Sequence, residues 1–162
     1  MDRQQIGLKL AMDSLEIPVQ MGTFENRLVL QKAVYLAEAA GVALGYHFRW
    51  YLRGPYCPLL ASDGFSVETE TARCEKEAQR WTLDAVSRKN LKQLRRTIDL
   101  KPDDMVLSSW LELLASVHFL VARKQVAGDT DKILHALRKF GKCYTLAQVA
   151  TARSRLREYA IP

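Results

Sequence analysis

Residues 105–121, MVLSSWLELLASVHFLV, decide the fold of this chain. Apolar side chains fall on nearly every side of the helix that they would form, and a helix with that pattern is buried. At 17 residues, with Glu112 and His118 inside it, the stretch suits a central helix better than a membrane span, which needs roughly 20 apolar residues. The sequence therefore predicts a buried helix over about residues 104–122 at the centre of the domain.

Segments on both sides of this stretch carry the signals of further helices. Apolar residues recur at helical spacing, between capping residues and chain-breaking Pro or Gly, in residues 3–17, 24–40, 84–98 and after Pro58. Residues 47–52, HFRWYL, are instead dominated by aromatic and apolar side chains, which favours a short extended or β segment. The predicted fold is mainly α, a compact helical domain with that short segment near residues 47–52.

Length and composition indicate a single domain over residues 1–162. A chain of 18.4 kDa with 48% apolar and 26% charged residues has the composition of an ordinary globular protein, which argues against a disordered chain. The three cysteines are widely spaced and no signal peptide precedes them, so a cytoplasmic protein with reduced thiols is expected. Residues 66–83 are polar and acidic without periodicity, and we expect them to be irregular.

Basic residues are concentrated near the C-terminus. The chain has a formal net charge of +6, and residues 132–157 contain seven Lys and Arg but no acid. Two short helices are predicted in residues 130–162, joined by GKCY, and together they would resemble a helix-turn-helix unit. A basic surface of this kind attracts nucleic-acid phosphates, although it is also typical of a solvated helical face. The candidate nucleic-acid-binding residues are Arg138, Lys139, Lys142, Arg153 and Arg157.

No pattern typical of a catalytic or metal centre is present in the sequence. His47, His118 and His135 are far apart, and the chain lacks HExxH, CxxC, GxSxG and phosphate-loop sequences. Cys57 is a candidate reactive thiol because Arg53 and a nearby helix start would favour its thiolate, but a small side chain that fills a turn is the favoured interpretation. We therefore expect no enzymatic activity, no catalytic residues, no metal and no cofactor.

The densest chemical feature is the aromatic and basic run YHFRWYLRGPY at residues 46–56. Tyr, Trp and Arg are the residues most often found as anchors of protein interfaces, and aromatic side chains also stack on the bases of single-stranded nucleic acid. A third interpretation is core packing, in which Phe48, Trp50 and Leu52 face inward. The candidate partner-binding residues are Arg49, Tyr51, Arg53 and Tyr56.

Several stretches of the sequence resemble a known group of proteins. They are LQKAVYLAE (30–38), GY (45–46), FRWYLRGPYCP (48–58) and, more loosely, WLELLASVHFL (110–120). These stretches resemble the YwgA-like proteins and, more remotely, the Panacea antitoxin domain, whose members share an LQK-x-x-Y helix followed by a YGP turn. The chain departs from the family pattern at Arg53, where Tyr is usual, and at Cys57, where Ser is usual.

This resemblance implies a mostly helical domain without known catalytic residues. For Panacea-type domains it also implies neutralisation of a cognate toxin by direct binding. The first hypothesis is therefore a non-enzymatic cytoplasmic interaction module, antitoxin-like, that neutralises or regulates a partner protein. The second is a nucleic-acid-binding protein that uses the basic C-terminal helices. Neither hypothesis includes a membrane contact.

Overall fold

The computed structural model describes residues 1–124, 126, 128–159 and 161. Within these ranges the chain forms eight helices and one antiparallel hairpin, and it is mainly α as predicted. In chain order the elements are α1 (Arg3–Ser14), α2 (Phe24–Ala39), β1 (Arg49–Tyr51), β2 (Gly54–Tyr56), α3 (Pro58–Thr69), α4 (Thr71–Ala78), α5 (Ala85–Asp99), α6 (Leu107–Ala122), α7 (Thr130–Lys139) and α8 (Leu146–Glu158).

Helix α6 is the centre of the domain, which confirms the prediction from the apolar stretch. Every residue from Trp110 to Leu120 is buried, and helices α2, α5, α7 and α8 and strand β2 all pack against α6. The indole N–H of Trp110 donates to the carbonyl of Thr97 on α5 at 3.2 Å. Because each fully buried large apolar side chain contributes roughly 1.5–3 kcal/mol, this helix supplies much of the driving force for folding.

The two titratable residues inside α6 are both paired. Glu112 bonds to Lys142, and the hydroxyl of Tyr35 lies 2.6 Å from Nδ1 of His118. Burial lowers the pKa of His118 to about 4, helped by repulsion from nearby Arg123 and Arg153, so the imidazole is neutral. Among the described residues, no helix combines the length and the apolarity needed to cross a membrane.

Threonine side chains cap the first turns of α2 and α8. Oγ1 of Thr23 accepts from the N–H of Asn26 at the start of α2. At the start of α8, Oγ1 of Thr145 accepts from the N–H of Gln148, whose side chain accepts in return from the N–H of Thr145. Each such cap contributes about 1 kcal/mol. The predicted helix pair in residues 130–162 is present as α7 and α8, although residues 160 and 162 lie outside the described residues.

The acidic segment 66–83 is mostly helical, so the prediction that it is irregular is wrong. The end of α3 and the whole of α4 occupy most of it. Cys74 is fully buried where α4 packs against α1. On the exposed side, Arg73 forms ion pairs at 2.9 Å with both Glu70 and Glu77. These pairs offset the repulsion between the acids, and a narrow buried face is enough to hold the short helix against the domain.

Buried and exposed residues alternate strictly in the chain between α2 and β1. Val42, Leu44, Tyr46 and Phe48 are buried, and the residues between them are exposed. The alternation continues into β1 but stops at Leu52, which is 76% exposed. The interpretation in which Phe48, Trp50 and Leu52 all face the core is therefore wrong for Leu52, because the chain turns back after β1 and carries this side chain to the tip of the hairpin. Phe48 is buried, and half-buried Trp50 packs against the core.

A close backbone approach fixes the return strand of the hairpin. Strand β1 pairs with β2 so that Arg49 lies opposite Tyr56 and Tyr51 opposite Gly54. Gly54 has φ of 94°, a conformation that other residues rarely adopt, and a Cβ placed on it would lie 2.8 Å from Oγ of Ser116 on α6. The hairpin therefore lies directly on the central helix at this point.

Substituting Gly54 tests this approach. We expect Gly54→Ala to lower the free energy of unfolding by about 2–4 kcal/mol, because it adds a collision with Ser116 to the backbone strain of positive φ. Gly141→Ala is a matched control, since Gly141 has φ of 74° with nothing within 4 Å of a Cβ; it should cost only about 1–2 kcal/mol.

The same substitution in a Ser116→Ala background separates the two contributions. Removing Oγ relieves the collision, so Gly54→Ala should then cost about as much as Gly141→Ala. Urea denaturation followed by circular dichroism measures the wild type, the three single variants and the double variant. Equal losses for the two glycine substitutions in the wild-type background would contradict the close approach.

Candidate protein-interaction site

Two neighbouring side chains of α2 hold the backbone of the hairpin. Oε1 of Gln31 accepts from the N–H of Cys57, and Nε2 of Gln31 donates to the carbonyl of Cys57, both at 2.9 Å. Nζ of Lys32 donates to the carbonyl of Pro55 at 2.7 Å. Both side chains are buried. The LQK and GPYC sequences, which are separated by more than twenty positions, are therefore structural partners of each other.

A cluster of charges lies beneath this clamp. Glu112 of α6 is bonded to Lys142, and its second oxygen lies 3.8 Å from Nη1 of Arg53 at the tip of the hairpin. The ammonium group of Lys142 also lies over the ring of Trp50, 5.8 Å from its centroid. With Lys32, three cations thus surround a single carboxylate. We refer to Lys32, Arg53, Glu112 and Lys142 as the charge cluster.

The electrostatics of the charge cluster leave Lys32 weakly protonated for a lysine. Burial lowers the pKa of Lys32 from 10.5 to about 7, and repulsion by Lys142 and Arg53 adds to the effect. The attraction of Glu112 opposes both causes without cancelling them. An additional anion near the cluster would be attracted, because the cations outnumber the carboxylate.

The four residues predicted to bind a partner lie together on the hairpin. Arg49, Tyr51 and Arg53 are exposed, and Tyr56 is half-buried. The rings of Tyr51 and Tyr56 lie 5.5 Å apart on the same side of the hairpin. The exposed surface also includes two apolar side chains. We refer to these six residues, Phe24, Arg49, Tyr51, Leu52, Arg53 and Tyr56, as the hairpin surface.

A cleft of about 320 Å³ separates the hairpin from the first turns of α2. Phe24, Leu28, Tyr51 and Tyr56 supply much of its apolar wall. Its cations are Arg27, Lys32 and Arg53, and among the described residues that line it none is acidic. Arg49 lies opposite Tyr56 on the hairpin but does not line this cleft. Three of the four predicted partner-binding residues therefore share one concave site.

A second cleft, of about 410 Å³, lies on the other side of the hairpin tip. Leu52 and Arg53 line both clefts, and the second one continues over Glu112, Phe140 and Tyr144. Phe140 packs against Trp50 with ring centroids 4.7 Å apart. The hairpin tip thus projects between two depressions of the surface.

Sequence reasoning missed several residues of this site. Phe24 is 47% exposed, and the guanidinium carbon of Arg53 lies 5.3 Å from the centroid of its ring. In the sequence, Phe24 directly follows Thr23, the N-cap of α2. Its position at the first residue of the helix, where packing does not require an aromatic side chain, is the signal that could have identified it. Gln31 and Lys32 were recognised as part of a motif, but nothing in the sequence showed that they bind the hairpin backbone.

Cys57 lies beneath the hairpin with its side chain buried in the hydrophobic core. This position agrees with the interpretation of a small side chain that fills a turn. The described residues contain no group of three or more His, Cys, Asp and Glu side chains arranged to hold a metal ion. His47 and His135 are exposed, and His118 is buried in α6.

The candidate nucleic-acid-binding residues do not form one exposed surface. Lys142 is buried and paired with Glu112, so its assignment to a nucleic-acid site is wrong. Arg138 and Lys139 are exposed at the end of α7. Arg153 and Arg157 share one face of α8 as predicted, and their guanidinium groups both lie beside Gly128. The uninterrupted basic run of the sequence is therefore divided among three places.

Comparisons with protein families, with curated proteins and with solved structures found no match. The hairpin surface and its two clefts are the features of the chain that bear on its function.

The low pKa of Lys32 predicts a pH-dependent stability. Between the folded pKa of about 7 and the ordinary value of 10.5, the unfolded chain holds a proton that folded Lys32 has released. Stability therefore rises with pH in this window, by on the order of 2 kcal/mol between pH 7 and about pH 9. Lys32→Met removes the titrating group and should lack this rise.

Urea denaturation of both chains across this pH range measures the effect. The difference between the two curves isolates Lys32, because the other titrating groups are common to both chains. Losing the hydrogen bond to Pro55 shifts the Lys32→Met curve by a constant amount and leaves its slope unaffected. Parallel curves would show that Lys32 stays protonated in the folded chain.

Proposed function

We propose that this chain is a non-enzymatic, cytoplasmic interaction module that binds a partner protein through the hairpin surface. The binding would be antitoxin-like, in that the chain neutralises or regulates the partner by occupying part of its surface. The cytoplasmic location is supported by three free cysteines, of which Cys143 is exposed.

The observation that carries this proposal is a set of exposed apolar side chains on a firmly held backbone. Tyr51 is 60% and Leu52 is 76% exposed, and Phe24 lies beside them. The hairpin that presents them is fixed by the hydrogen bonds of Gln31 and Lys32. Exposed aromatic and Arg side chains that are already ordered lose little entropy when they bind, which is the property of interface anchors.

The resemblance to antitoxin domains supports the same proposal in a specific way. The LQK and GPY residues that carry the resemblance build the clamp beneath the hairpin. Arg53, which departs from the usual Tyr, lies instead at the exposed tip. A common scaffold with a variable tip suits a group of proteins that bind different partners, and a cognate toxin is the partner that the resemblance suggests for this chain.

Helix α8 is less suited to the alternative function of nucleic-acid recognition. In helix-turn-helix proteins the first residues of the recognition helix contact the base edges. The first exposed residues of α8 are Leu146, Ala147 and Ala150, which have no polar side-chain groups. Gln148 is engaged in the helix cap and faces Asp104 at 3.4 Å. The arginines of α8 lie in its second half.

Affinity capture from a lysate of the native cell tests the proposed function. The tagged chain is incubated with lysate treated with nuclease, and the bound proteins are quantified by mass spectrometry. We expect Tyr51→Ala and Arg53→Glu each to reduce recovery of the partner at least about tenfold, because interface anchors typically contribute 2 kcal/mol or more. Both side chains are exposed, so both variants should keep the stability of the wild type.

Trp81→Ala is the matched control for capture. Trp81 is 49% exposed and lies in a different cleft, near Arg3 and α1. Its substitution removes an exposed aromatic side chain and should leave partner recovery unchanged. Recovery of the same protein by both hairpin variants would contradict the proposal, as would binding that disappears on nuclease treatment.

Expression of the captured partner tests the antitoxin-like part of the proposal. If the partner is a toxin, its expression alone should arrest growth and co-expression of the wild-type chain should restore it. Tyr51→Ala should fail to restore growth, whereas Trp81→Ala should succeed. If the partner is harmless when expressed alone, the proposed interaction stands but the antitoxin-like role is contradicted.

A further inference from the structure

Building on the proposed function, we propose that the cleft between α2 and the hairpin binds an acidic segment of the partner protein. In that segment an Asp or Glu carboxylate lies beside an aromatic or aliphatic side chain. The carboxylate binds Arg53 at the rim of the cleft, and the apolar side chain occupies the wall formed by Phe24, Leu28, Tyr51 and Tyr56.

The charge of the cleft selects an anion. Its described lining includes Arg27, Lys32 and Arg53 and no acid. Glu112, the carboxylate of the charge cluster, is already bonded to Lys142. A carboxylate that enters the cleft therefore meets an unbalanced positive charge in partly buried surroundings, where the attraction is stronger than in water.

Arg53 is the group best placed to bind the carboxylate. Its guanidinium lies 3.8 Å from Oε2 of Glu112, beyond hydrogen-bond distance, and more than half of its side chain is exposed. Arg27, in contrast, already donates to the carbonyl of Met21 at 2.9 Å. Since a guanidinium can hold a carboxylate with two parallel hydrogen bonds, Arg53 has free donors in the geometry that a carboxylate requires.

Lys32 adds a cation at the inner end of the cleft. Its ammonium group has three N–H donors, and one of them donates to the carbonyl of Pro55. Nearby on α6, Oγ of Ser116 is buried without a hydrogen-bond partner. An incoming carboxylate would favour the protonated form of Lys32, whose pKa of about 7 leaves it ready to take up a proton.

The apolar wall and the size of the cleft favour a peptide over a nucleic-acid strand. A volume of about 320 Å³ is at the lower end for ligand sites and suits one aromatic or aliphatic side chain. A nucleic-acid strand needs a line of exposed cations along its phosphates. Of the three cations here, only Arg53 is exposed, whereas Lys32 is buried and Arg27 is half-buried.

Two capped hexapeptides and one oligonucleotide test this inference on the full chain. The acidic probe is Asp-Asp-Phe-Leu-Asp-Asp, its uncharged counterpart is Asn-Asn-Phe-Leu-Asn-Asn, and the third probe is a thymidine hexanucleotide. Each is titrated into the ¹⁵N-labelled protein at near-physiological salt, where long-range attraction is screened. We expect the acidic peptide to shift resonances of the cleft and to bind about tenfold more tightly than the amide peptide.

Two variants assign this preference to the cleft. Arg53→Gln should bring the affinities of the two peptides to within about twofold of each other. Arg88→Gln removes an exposed positive charge from α5 and should leave the preference unchanged. The unchanged preference in this control distinguishes a specific contact from the net positive charge of the whole chain.

The inference would be overturned by equal binding of the two peptides, by resonance shifts confined to residues outside the cleft, or by tighter binding of the hexanucleotide than of the acidic peptide. Absence of any cleft shift with the acidic peptide would overturn it as well. In each case, Tyr51-dependent capture of a protein would show that the proposed function stands without the acidic segment. If the Tyr51→Ala variant captured the same protein as the wild type, the proposed function itself would be contradicted.

Discussion

The clamp that Gln31 and Lys32 of α2 place on the hairpin backbone is the interaction on which the site depends. Gln31 and Lys32 satisfy the N–H of Cys57 and the carbonyl of Pro55. Gln31 also donates to the carbonyl of Cys57, which accepts in addition from the N–H of Ala61. A buried polar group without a partner costs roughly 1–3 kcal/mol, so the hairpin has one strongly preferred position. Because α2 itself packs along α6, the hairpin is fixed to the centre of the domain.

The same clamp adds to the positive charge of the site. A side chain that reaches a backbone carbonyl from inside the domain must be a donor, and Lys32 brings an ammonium group with it, although burial lowers the pKa of that group to about 7. Glu112 compensates the positive charge only in part, because it also serves Lys142 and Arg53. Lys32 therefore contributes to both the anchoring of the hairpin and the charge of the cleft, whereas exposed Arg53 contributes to the charge alone. Outside the clamp, Tyr51 and Leu52 extend into solvent from a backbone that is already ordered, which is why they suit binding.

The sequence predicted more of the fold than of the site. Periodicity located α6 and caps located the starts of α2 and α8, because both signals depend on neighbours within one turn of helix. Periodicity failed to locate α4, because the buried face of α4 is set by its packing against α1 and not by a regular apolar stripe. At the site, the aromatic and basic composition pointed to the hairpin. It gave no means to separate exposed Arg53 from buried Lys142, since the two cations differ only in how the chain places them relative to Glu112.

The sequence by itself determined a mainly helical chain with a buried central helix, a short extended segment near residues 47–52, and an excess of basic residues. The first two follow from local chemistry, namely the helical period, capping side chains and chain-breaking Pro and Gly, and the third follows from composition. Only the tertiary structure decided that LQK and GPYC bind each other, that Lys142 pairs with Glu112, and that a cleft opens beside the hairpin whose described lining contains cations and no acid. Each of these depends on residues that are distant in sequence, and their distances are set by how α2, α6 and the hairpin pack together.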